Sequence, residues 1–353
     1  MQVSSEDHHL VAASIQRICH DLSISHFARP EVVCNSEAFT QALSVLIEQG
    51  VLNLTNEPGY GLWEHADSTE GLALTLSSLR TLASTHAALA LSLHRAALAR
   101  QLPGCPSSPH IGLCLHGHHG LGRGELARWW RQSTTNNAIL ADVFSCHRAR
   151  LALIPAHDGH MLCPVFQHQL GITWWIVPVT TSTDHGLGLD ELHYGRMVPE
   201  QGELLTRQDP LQSRHLWHQE WLGLLAIQLG CIDHAGEKAA AYAGIRYQGG
   251  KLIDQHEAVQ SLLTDIRGVQ ADTETFLQYQ QLDENSFRHL LLVRNRLQEG
   301  LGTAVNAAMQ VMGGLGYMRD NGIEKCLRDA YQLRYQSGSP LDMQLLAASW
   351  ERS

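Results

Sequence analysis

The feature that most restricts the fold is a long apolar stretch from about Glu70 to Arg100, rich in alanine and leucine and nearly free of charge. A helix that is apolar on every face is stable in water only when other elements surround it. We therefore predict a buried helix here, at the centre of a helical domain. Leu102-Pro103-Gly104 then breaks the pattern.

The texture of the sequence changes twice along the chain. Residues 6 to about 105 have helical spacing, and a second amphipathic segment runs from Ser36 to Gly50. From about 108 to 206, short β-like runs alternate with turn residues. The predicted strands are Ile111 to Leu115, Ala149 to Ile154 and Gly171 to Val179.

After residue 208 the pattern is helical again, over roughly 209–245, 255–297, 300–313, 322–334 and 340–350. We therefore predict a mainly α fold with a central β-domain. The expected domains are an N-terminal helical domain (1–107), a middle β-domain (108–207) and a C-terminal helical bundle (208–353).

Composition excludes several functions. The chain of 353 residues is 44% apolar and has a net charge of −10 without a basic stripe, so nucleic acid is not an expected partner. Its 8 cysteines are scattered without a C-x-x-C pair, which fits a reducing cytoplasm. The N-terminus lacks the pattern of a signal peptide, and no apolar run predicts a membrane span. We predict a cytoplasmic protein.

Glycine-containing stretches carry the most specific motifs. Residues 246–258 read RYQGGKLIDQHEA, residues 310–317 read QVMGGLGY, and residues 324–330 read EKCLRDA. Taken one by one, Arg246 fits a helix C-terminus, Gly313 and Gly314 fit a helix end, and Arg328-Asp329 fits an ion pair. In this order and spacing, however, the stretches resemble the C-terminal domain of the acyl-CoA dehydrogenase family.

The resemblance implies the three-domain acyl-CoA dehydrogenase fold and a bound flavin adenine dinucleotide (FAD). In the family, the arginine matching Arg246 reaches the pyrophosphate, often on a neighbouring subunit, and a guanidinium suits phosphate oxygens. The histidine matching His256 lies beside the cofactor. The resemblance assigns further positions to the cofactor, namely Gln310, Gly313, Gly314 and Ser339.

The catalytic base of the family is a glutamate that takes the α-proton of an acyl thioester while a hydride leaves for the flavin. Most members carry it before a Gly-Thr pair, where this chain has Ser337, whose hydroxyl is too weak a base alone. A minority of the family carries it on an earlier helix, ten residues before a glycine. Glu220 lies at that spacing from Gly230.

Two interpretations of Glu220 stay open. As the catalytic base, it precedes an apolar stretch, and burial is expected to raise its pKa. Otherwise it is a carboxylate in the first turn of a helix, favoured by the helix dipole. The resemblance assigns Trp221 and Gly338 to the substrate, although the family has an arginine where Trp221 stands.

Other departures concern the neighbours of these residues. Glu257 replaces a family glutamine, Gly249 an aromatic residue, and His218 an aspartate near the pantetheine arm of the thioester. The middle domain lacks the family's Thr-Glu-x-x-x-Gly-Ser-Asp and Trp-x-Thr-Asn stretches, which contact the flavin ring. A carrier-protein thioester is therefore a plausible substrate beside an acyl-CoA.

The remaining clusters predict structure rather than chemistry. His116-Gly117-His118-His119 and His157-Asp158-Gly159-His160 lack the spacing of converging ligands, so we predict no metal site. Glycines 117, 120, 122 and 124 predict a flexible loop. The pairs Trp129-Trp130 and Trp174-Trp175 are expected to pack, with a wall for a flavin or acyl chain as the alternative.

The sequence thus predicts an FAD-dependent oxidoreductase that converts an acyl-CoA or acyl carrier protein thioester to the α,β-enoyl thioester. The resemblance implies a homodimer or homotetramer and an electron-transfer flavoprotein as partner. The alternatives are a non-catalytic subunit that pairs with an active paralogue, and a flavin monooxygenase of the same fold.

Overall fold

The computed structural model describes residues 5–21, 37–55, 61–115, 150–154, 159–167, 171–181, 188–197 and 201–352. The helices before the β part are α1 (Ser5–Asp21), α2 (Glu37–Glu48) and α3 (Thr69–Arg100). The side chain of Ser68 caps α3 by accepting a hydrogen bond from the backbone N–H of Gly71, and most residues of α3 are buried. The predicted buried helix is confirmed.

The described strands of the middle part form two sheets. Their bounds are β1 (Ile111–Leu113), β2 (Arg150–Ile154), β3 (His160–Gln167), β4 (Gly171–Pro178), β5 (Thr180–Thr181), β6 (His193–Met197) and β7 (Glu203–Gln208). One sheet has the order β1-β3-β4-β7 and the other β2-β6-β5. β1 pairs with β3 in parallel, and the remaining pairs in both sheets are antiparallel.

The C-terminal part is a helical bundle with one small hairpin. Its elements are α4 (Pro210–Ala243), β8 (Tyr247–Gln248), β9 (Lys251–Leu252), α5 (Glu257–Gln278), α6 (Glu284–Met312), α7 (Ile323–Arg334) and α8 (Pro340–Arg352). Helix, sheet and helix follow one another as predicted. In the ranges that the structure describes, no helix has both the length and the apolarity to cross a membrane.

Two predicted helix boundaries are wrong. The predicted helix 255–297 ends at Gln278, and a new helix begins at Glu284, because the side chain of Asp283 accepts a hydrogen bond from the backbone N–H of Ser286. The predicted break before residue 300 does not occur. Gly300 lies inside α6, where its missing side chain leaves room for Val269 on α5.

Helices α3 and α4 form the centre of the main apolar core, and Gly230 permits their close approach. A Cβ atom at Gly230 would lie 2.2 Å from the carbonyl oxygen of Arg80 and 2.8 Å from Cβ of Ala83. We expect Gly230→Ala to lower the free energy of unfolding by about 1–3 kcal/mol, because the two backbones must separate. Chemical denaturation measures this change.

Gly268→Ala is the matched control for this prediction. Gly268 also lies within a helix, but a Cβ atom there meets no other atom within 4 Å. Alanine is expected to stabilise α5 by about 0.5–1 kcal/mol, because glycine loses more conformational freedom on folding. Equal effects of the two substitutions would contradict the close approach at Gly230.

A buried ion cluster joins the β part to the C-terminal bundle. Lys325 Nζ lies 2.5 Å from Asp329 Oδ2 and 3.1 Å from Glu191 Oε2, and each of these side chains is at most 2% exposed. The backbone N–H of Leu189 also donates to Asp329 Oδ1 at 2.6 Å. Burial alone lowers the pKa of Lys325, but the two carboxylates raise it above its ordinary value.

Arg328 adds a second bridge between the same two parts. Its guanidinium pairs with Asp190 of the β part and with Glu324 one turn earlier on α7. Gly188 lets the segments meet, because a Cβ atom there would lie 2.3 Å from the carbonyl oxygen of Arg328. The ion-pair interpretation of the Arg328-Asp329 motif is therefore confirmed, and its partners lie in the β part.

Candidate active site

Glu220 lies well inside α4, beyond the first turn that begins at Pro210, and its side chain is fully buried. The interpretation as a first-turn carboxylate is therefore wrong. The apolar residues that follow Glu220 predict its burial, because they pack this part of α4 against α3 in the core. A carboxylate in such a place needs partners, because burying an unpaired charge is expensive.

The partners of Glu220 come from distant parts of the chain. Arg95 of α3 donates from Nη2 to Glu220 Oε1 at 3.0 Å and from Nε at 3.3 Å. Ser337 donates from Oγ to the same oxygen at 2.5 Å. The sequence resemblance assigns Ser337 and Glu220 to the two positions at which the family carries its base. In this chain the two side chains are in direct contact.

The expected direction of the Glu220 pKa is wrong. Burial alone raises this pKa, but the positive charge of Arg95 and the polar contacts with His94 and Ser337 lower it below its ordinary value. Arg95 lies far from Glu220 in the sequence, so the local pattern around Glu220 gave no sign of it. Glu220 is therefore an ionised carboxylate at neutral pH.

A second buried guanidinium belongs to the same cluster. Arg294 of α6 donates from Nη2 to the backbone oxygen of Gln336 at 3.1 Å, and its guanidinium carbon lies 5.7 Å from the centre of the Trp221 ring. Burial lowers the pKa of Arg294 to about 10, although Glu220 acts in the opposite direction. Arg95, Arg294 and Glu220 together keep a net positive charge.

Sequence reasoning missed Arg95, His94 and Arg294. A signal for the first two was available, because both lie in the stretch predicted to form a helix apolar on all faces. A charged arginine on such a helix requires a buried partner of opposite charge. Arg294 lies in a predicted helix of mixed composition and carries no comparable signal.

The residues assigned to the substrate lie around this cluster. Trp221 donates from its indole nitrogen to the backbone oxygen of Ser337 at 3.0 Å and stacks on Phe287 with ring centres 5.7 Å apart. Ser337 and Gly338 both have positive φ, of 55° and 128°. These contacts fix the turn before α8. Binding of substrate by Trp221 and Gly338 stays a prediction.

Ser339 has a structural role in the described chain. Its hydroxyl accepts a hydrogen bond from the backbone N–H of Asp342, whose carboxylate accepts from the N–H and the hydroxyl of Ser339. This reciprocal pair caps the N-terminus of α8. Contact between Ser339 and the cofactor stays a prediction.

Arg246 and Gln310 lie at another place, at the end of the bundle where α4 and α6 stop. Tyr242 in the last turn of α4 packs with Met309 and Met312, which flank Gln310. Arg246 and Gln310 are both exposed. The two motifs that carry the family resemblance therefore share one surface of the chain.

The glycines at this end have two different explanations. Gly313 ends α6 with φ 57° and ψ −136°, so the predicted helix-end role is confirmed. Gly314 has no positive φ, and a Cβ atom there would meet nothing within 4 Å. Nothing within the described chain requires Gly314 to be a glycine, which fits the close approach of a molecule from outside the chain.

His256 lies beneath the hairpin of β8 and β9. Its Nε2 atom is 3.0 Å from the backbone oxygen of Gln248, and a Cβ atom on Gly249 would lie 3.3 Å from the histidine ring. Gly249 and Gly250 both have positive φ, as a tight two-residue hairpin requires. Gly249, at the position where the family has an aromatic residue, thus permits the tight turn between β8 and β9.

The structure brings the predicted site residues together in two groups rather than one. From Glu220 to its last residue, Ala243, helix α4 extends roughly 35 Å along its axis. Within one chain, the group around Arg246 therefore lies far from the group around Glu220 along α4.

Several predicted clusters add nothing further to the site. His116, His118, His119 and the pair Trp129-Trp130 lie outside the described residues, as do His157 and Asp158. In the part of the chain that the structure describes, no group of three or more His, Cys, Asp or Glu side chains could hold a metal ion. Trp174 packs on Trp217, with ring centres 5.8 Å apart, as predicted.

Comparison with known proteins agrees with this architecture. Residues 215–340 match the family model described as acyl-CoA dehydrogenase, C-terminal domain. An acyl-CoA dehydrogenase of Bacillus subtilis is 28% identical over 123 residues, which cover 33% of this chain and 32% of the relative. The chain thus matches about a third of the length of its curated relatives.

Solved structures extend the likeness to the whole chain. The prolyl acyl carrier protein oxidase AnaB superposes with a TM-score of 0.72 at 13% identity, covering 99% of both chains. Glutaryl-CoA dehydrogenase from Mycobacterium smegmatis gives 0.72 at 15% identity, covering 98% of this chain and 94% of the other. The chain has the acyl-CoA dehydrogenase fold, and residues 215–340 match the model of that family's C-terminal domain. The predicted resemblance is confirmed.

Proposed function

We propose that this protein oxidises an acyl thioester with bound FAD and that Glu220 is the base that removes the α-proton. The contact of 2.5 Å between Ser337 Oγ and Glu220 Oε1 carries this proposal. Through this contact Glu220, which the resemblance assigns to the less common position of the base, touches Ser337, which the resemblance assigns to the more common position. The lowered pKa keeps the carboxylate ionised at neutral pH, the form that can accept a proton, and also makes it a weaker base than an ordinary glutamate.

The chain's own residues would divide the work as follows. Flavin, when bound, supplies the hydride acceptor. Arg95 and Ser337 hold Glu220 Oε1, which leaves Oε2 as the oxygen with fewer donors. Trp221 and Gly338 would bound the acyl group, and the net positive charge of the cluster would stabilise negative charge that develops on the thioester oxygen as the α-proton leaves.

The cofactor would be shared between two copies of the chain. Arg246, His256, Gln310, Gly313, Gly314 and Ser339 are the residues we propose to hold it. The exposed guanidinium of Arg246 and the open space around Gly314 fit the pyrophosphate end of a dinucleotide. Because Arg246 lies just beyond the end of α4, roughly 35 Å along the helix from Glu220 of the same chain, we propose that Arg246 and its neighbours at that end serve the site of a partner copy in a homodimer or homotetramer. Ser339 lies beside Ser337 and would serve the site of its own chain.

The remaining partners follow from the family and its relatives. An electron-transfer flavoprotein would take the electrons. The thioester carrier is coenzyme A or an acyl carrier protein, and the names of the structural relatives include both. A cytoplasmic location and the domain boundaries at 107/108 and 207/208 stay predictions.

The visible absorbance of the purified protein tests the proposal first. We expect a yellow protein that is bleached without oxygen by at least one of three probes: glutaryl-CoA, butyryl-CoA or a prolyl carrier-protein thioester. Arg246→Met should weaken FAD binding by about 10–100-fold, because a charged hydrogen-bond pair to phosphate is lost. Titration of the apoprotein with FAD measures this change.

Arg296→Met is the control for Arg246→Met. Arg296 is an exposed arginine of α6, placed well before Gln310, so its loss should leave the affinity for FAD unchanged. Equal losses in the two variants would contradict the assigned role of Arg246. A protein that neither contains nor takes up flavin would contradict the proposed function.

One observation favours a second candidate. Glu220 is paired with Arg95 and buried, as a purely structural ion pair would be. The chain could then be the non-catalytic subunit of a heteromeric acyl-CoA dehydrogenase. A colourless protein that copurifies with a larger homologue would support this alternative.

A further inference from the structure

His94 contacts the oxygen of Glu220 that Arg95 and Ser337 leave free. The ring atom Nε2 of His94 lies 2.9 Å from Glu220 Oε2, and both side chains are fully buried. At this distance the two atoms form a close polar contact whose alignment falls outside that of a hydrogen bond. His94 immediately precedes Arg95 on α3, so adjacent residues of one helix hold the two oxygens of the same carboxylate.

A buried tryptophan determines which nitrogen of His94 carries the proton. Trp63 places its indole nitrogen Nε1 2.9 Å from Nδ1 of His94. An indole N–H can only donate, so Nδ1 must accept, and the single proton of the neutral ring lies on Nε2. A second proton on Nδ1 would face the indole N–H and remove this bond. His94 therefore presents an N–H group to Glu220.

Three further features keep this arrangement in place. Trp63 has φ of 71°, a conformation that residues other than glycine seldom adopt. Its backbone N–H donates to Thr75 Oγ1 at 3.2 Å, which anchors the loop to α3. Gly223 leaves space for the imidazole, because a Cβ atom there would lie 2.2 Å from Cε1 of His94. Unusual backbone geometry and a missing side chain thus both serve the position of one ring.

We propose that Trp63 and His94 are positioning residues for Glu220. Trp63 fixes His94 as a donor, so that the imidazole orients the carboxylate but cannot take up a proton at Nε2. The proton that leaves the substrate then stays on Glu220 instead of passing into the core. This inference rests on the proposed role of Glu220 as the base. The assignment of the His94 tautomer does not depend on that role.

Nitrogen NMR of protein with isotopically labelled histidine tests the tautomer without any reaction. His94→Gln identifies the signals of His94 by their loss. We expect the Nε2–H form in the unmodified protein, and a mixture of the two tautomers in Trp63→Phe, which keeps an aromatic ring but has no N–H. Glu220→Gln should shift the Nε2 signal. Trp350→Phe, a buried tryptophan of α8, is the control and should leave the tautomer unchanged.

Kinetics of the holoenzyme test the positioning itself. His94→Leu should lower kcat by about 10²-fold with little change in KM, because a misplaced base loses its alignment with the substrate. His94→Gln, which retains an N–H donor, should recover most of this loss. An Nδ1–H tautomer in the unmodified protein, or equal kcat values for His94→Leu and the unmodified enzyme, would overturn the proposal. The two proposals can fail separately. If no probe is oxidised, but the His94 tautomer and the shift of its Nε2 signal in Glu220→Gln are as expected, the proposed function fails. The contacts among Trp63, His94 and Glu220 then still stand.

Discussion

Glu220→Gln is expected to slow the bleaching of the flavin by an acyl thioester by about 10²–10⁴-fold, the usual contribution of a positioned base. The amide has nearly the same shape as the carboxylate but cannot accept the α-proton. Rapid mixing without oxygen measures the bleaching rate, using a probe that reduces the unmodified protein. The flavin content of both proteins must be equal before the rates are compared.

The double variant Glu220→Gln/Arg95→Met controls for folding. Glu220→Gln alone leaves Arg95 and Arg294 buried without their carboxylate, which destabilises the fold. Removing Arg95 as well restores the original charge balance of the cluster. We expect the double variant to recover stability but not activity. Bleaching at the original rate in either variant would contradict the role of Glu220.

Arg95→Met alone should change the pH dependence of the reaction. Arg95 is the main charge that lowers the pKa of Glu220, so its loss raises that pKa. The unmodified enzyme should stay active as the pH falls through the range in which ordinary carboxyl groups take up protons. The activity of Arg95→Met should begin to fall at a higher pH. In the unmodified protein, the ionised Glu220 stabilises the fold above its unfolded pKa, and this contribution is lost only as pH falls through the lowered folded value.

Lys325→Met is expected to have the largest effect on stability, lowering the free energy of unfolding by about 3–5 kcal/mol. The methionine fills similar space but leaves Asp329 and Glu191 buried without a cation. Chemical denaturation at neutral pH measures the change. The loss should become smaller as pH falls, because the stranded carboxylates then take up protons in the folded state.

An exposed ion pair provides the comparison for Lys325→Met. Arg288 donates to Glu351 at 2.6 Å, but its side chain is 54% exposed and the pair is screened by water. Arg288→Met should therefore leave the midpoint of unfolding close to that of the unmodified protein. Similar losses in both variants would contradict the view that the buried cluster joins the β part to the bundle.

Parts of this fold follow from local sequence because the responsible forces are local. The helix at Thr69–Arg100 is predictable from its uninterrupted apolar composition, and Gly313 ends α6 as its lack of a side chain suggests. The boundary at Asp283 was missed because a capping aspartate is a weaker signal than a glycine or proline. The break predicted before residue 300 was wrong, and the close packing of Gly300 against α5 is visible only in three dimensions.

The burial of Glu220 was predictable, but its electrostatics were not. The family's spacing before a glycine pointed to Glu220, and the apolar residues after it predicted that the carboxylate is buried. The direction of its pKa depends on Arg95, which contacts Glu220 across 125 residues of sequence. No local pattern encodes such a contact, although an arginine in an otherwise apolar helix indicates that some buried carboxylate must exist. The separation of Arg246 from Glu220, in contrast, follows from the length of α4, which the predicted helix 209–245 already implied.

Loss of deuterium from the α-carbon of a bound thioester tests the central claim most directly. The holoenzyme is incubated in ordinary water, without an electron acceptor, with α-deuterated glutaryl-CoA, butyryl-CoA or the corresponding prolyl carrier-protein thioester, and mass spectrometry follows the label. If Glu220 is the base, the unmodified protein should release the label from the thioester that bleaches its flavin, and Glu220→Gln should retain it. Retention by both proteins, or release at equal rates, would contradict the account.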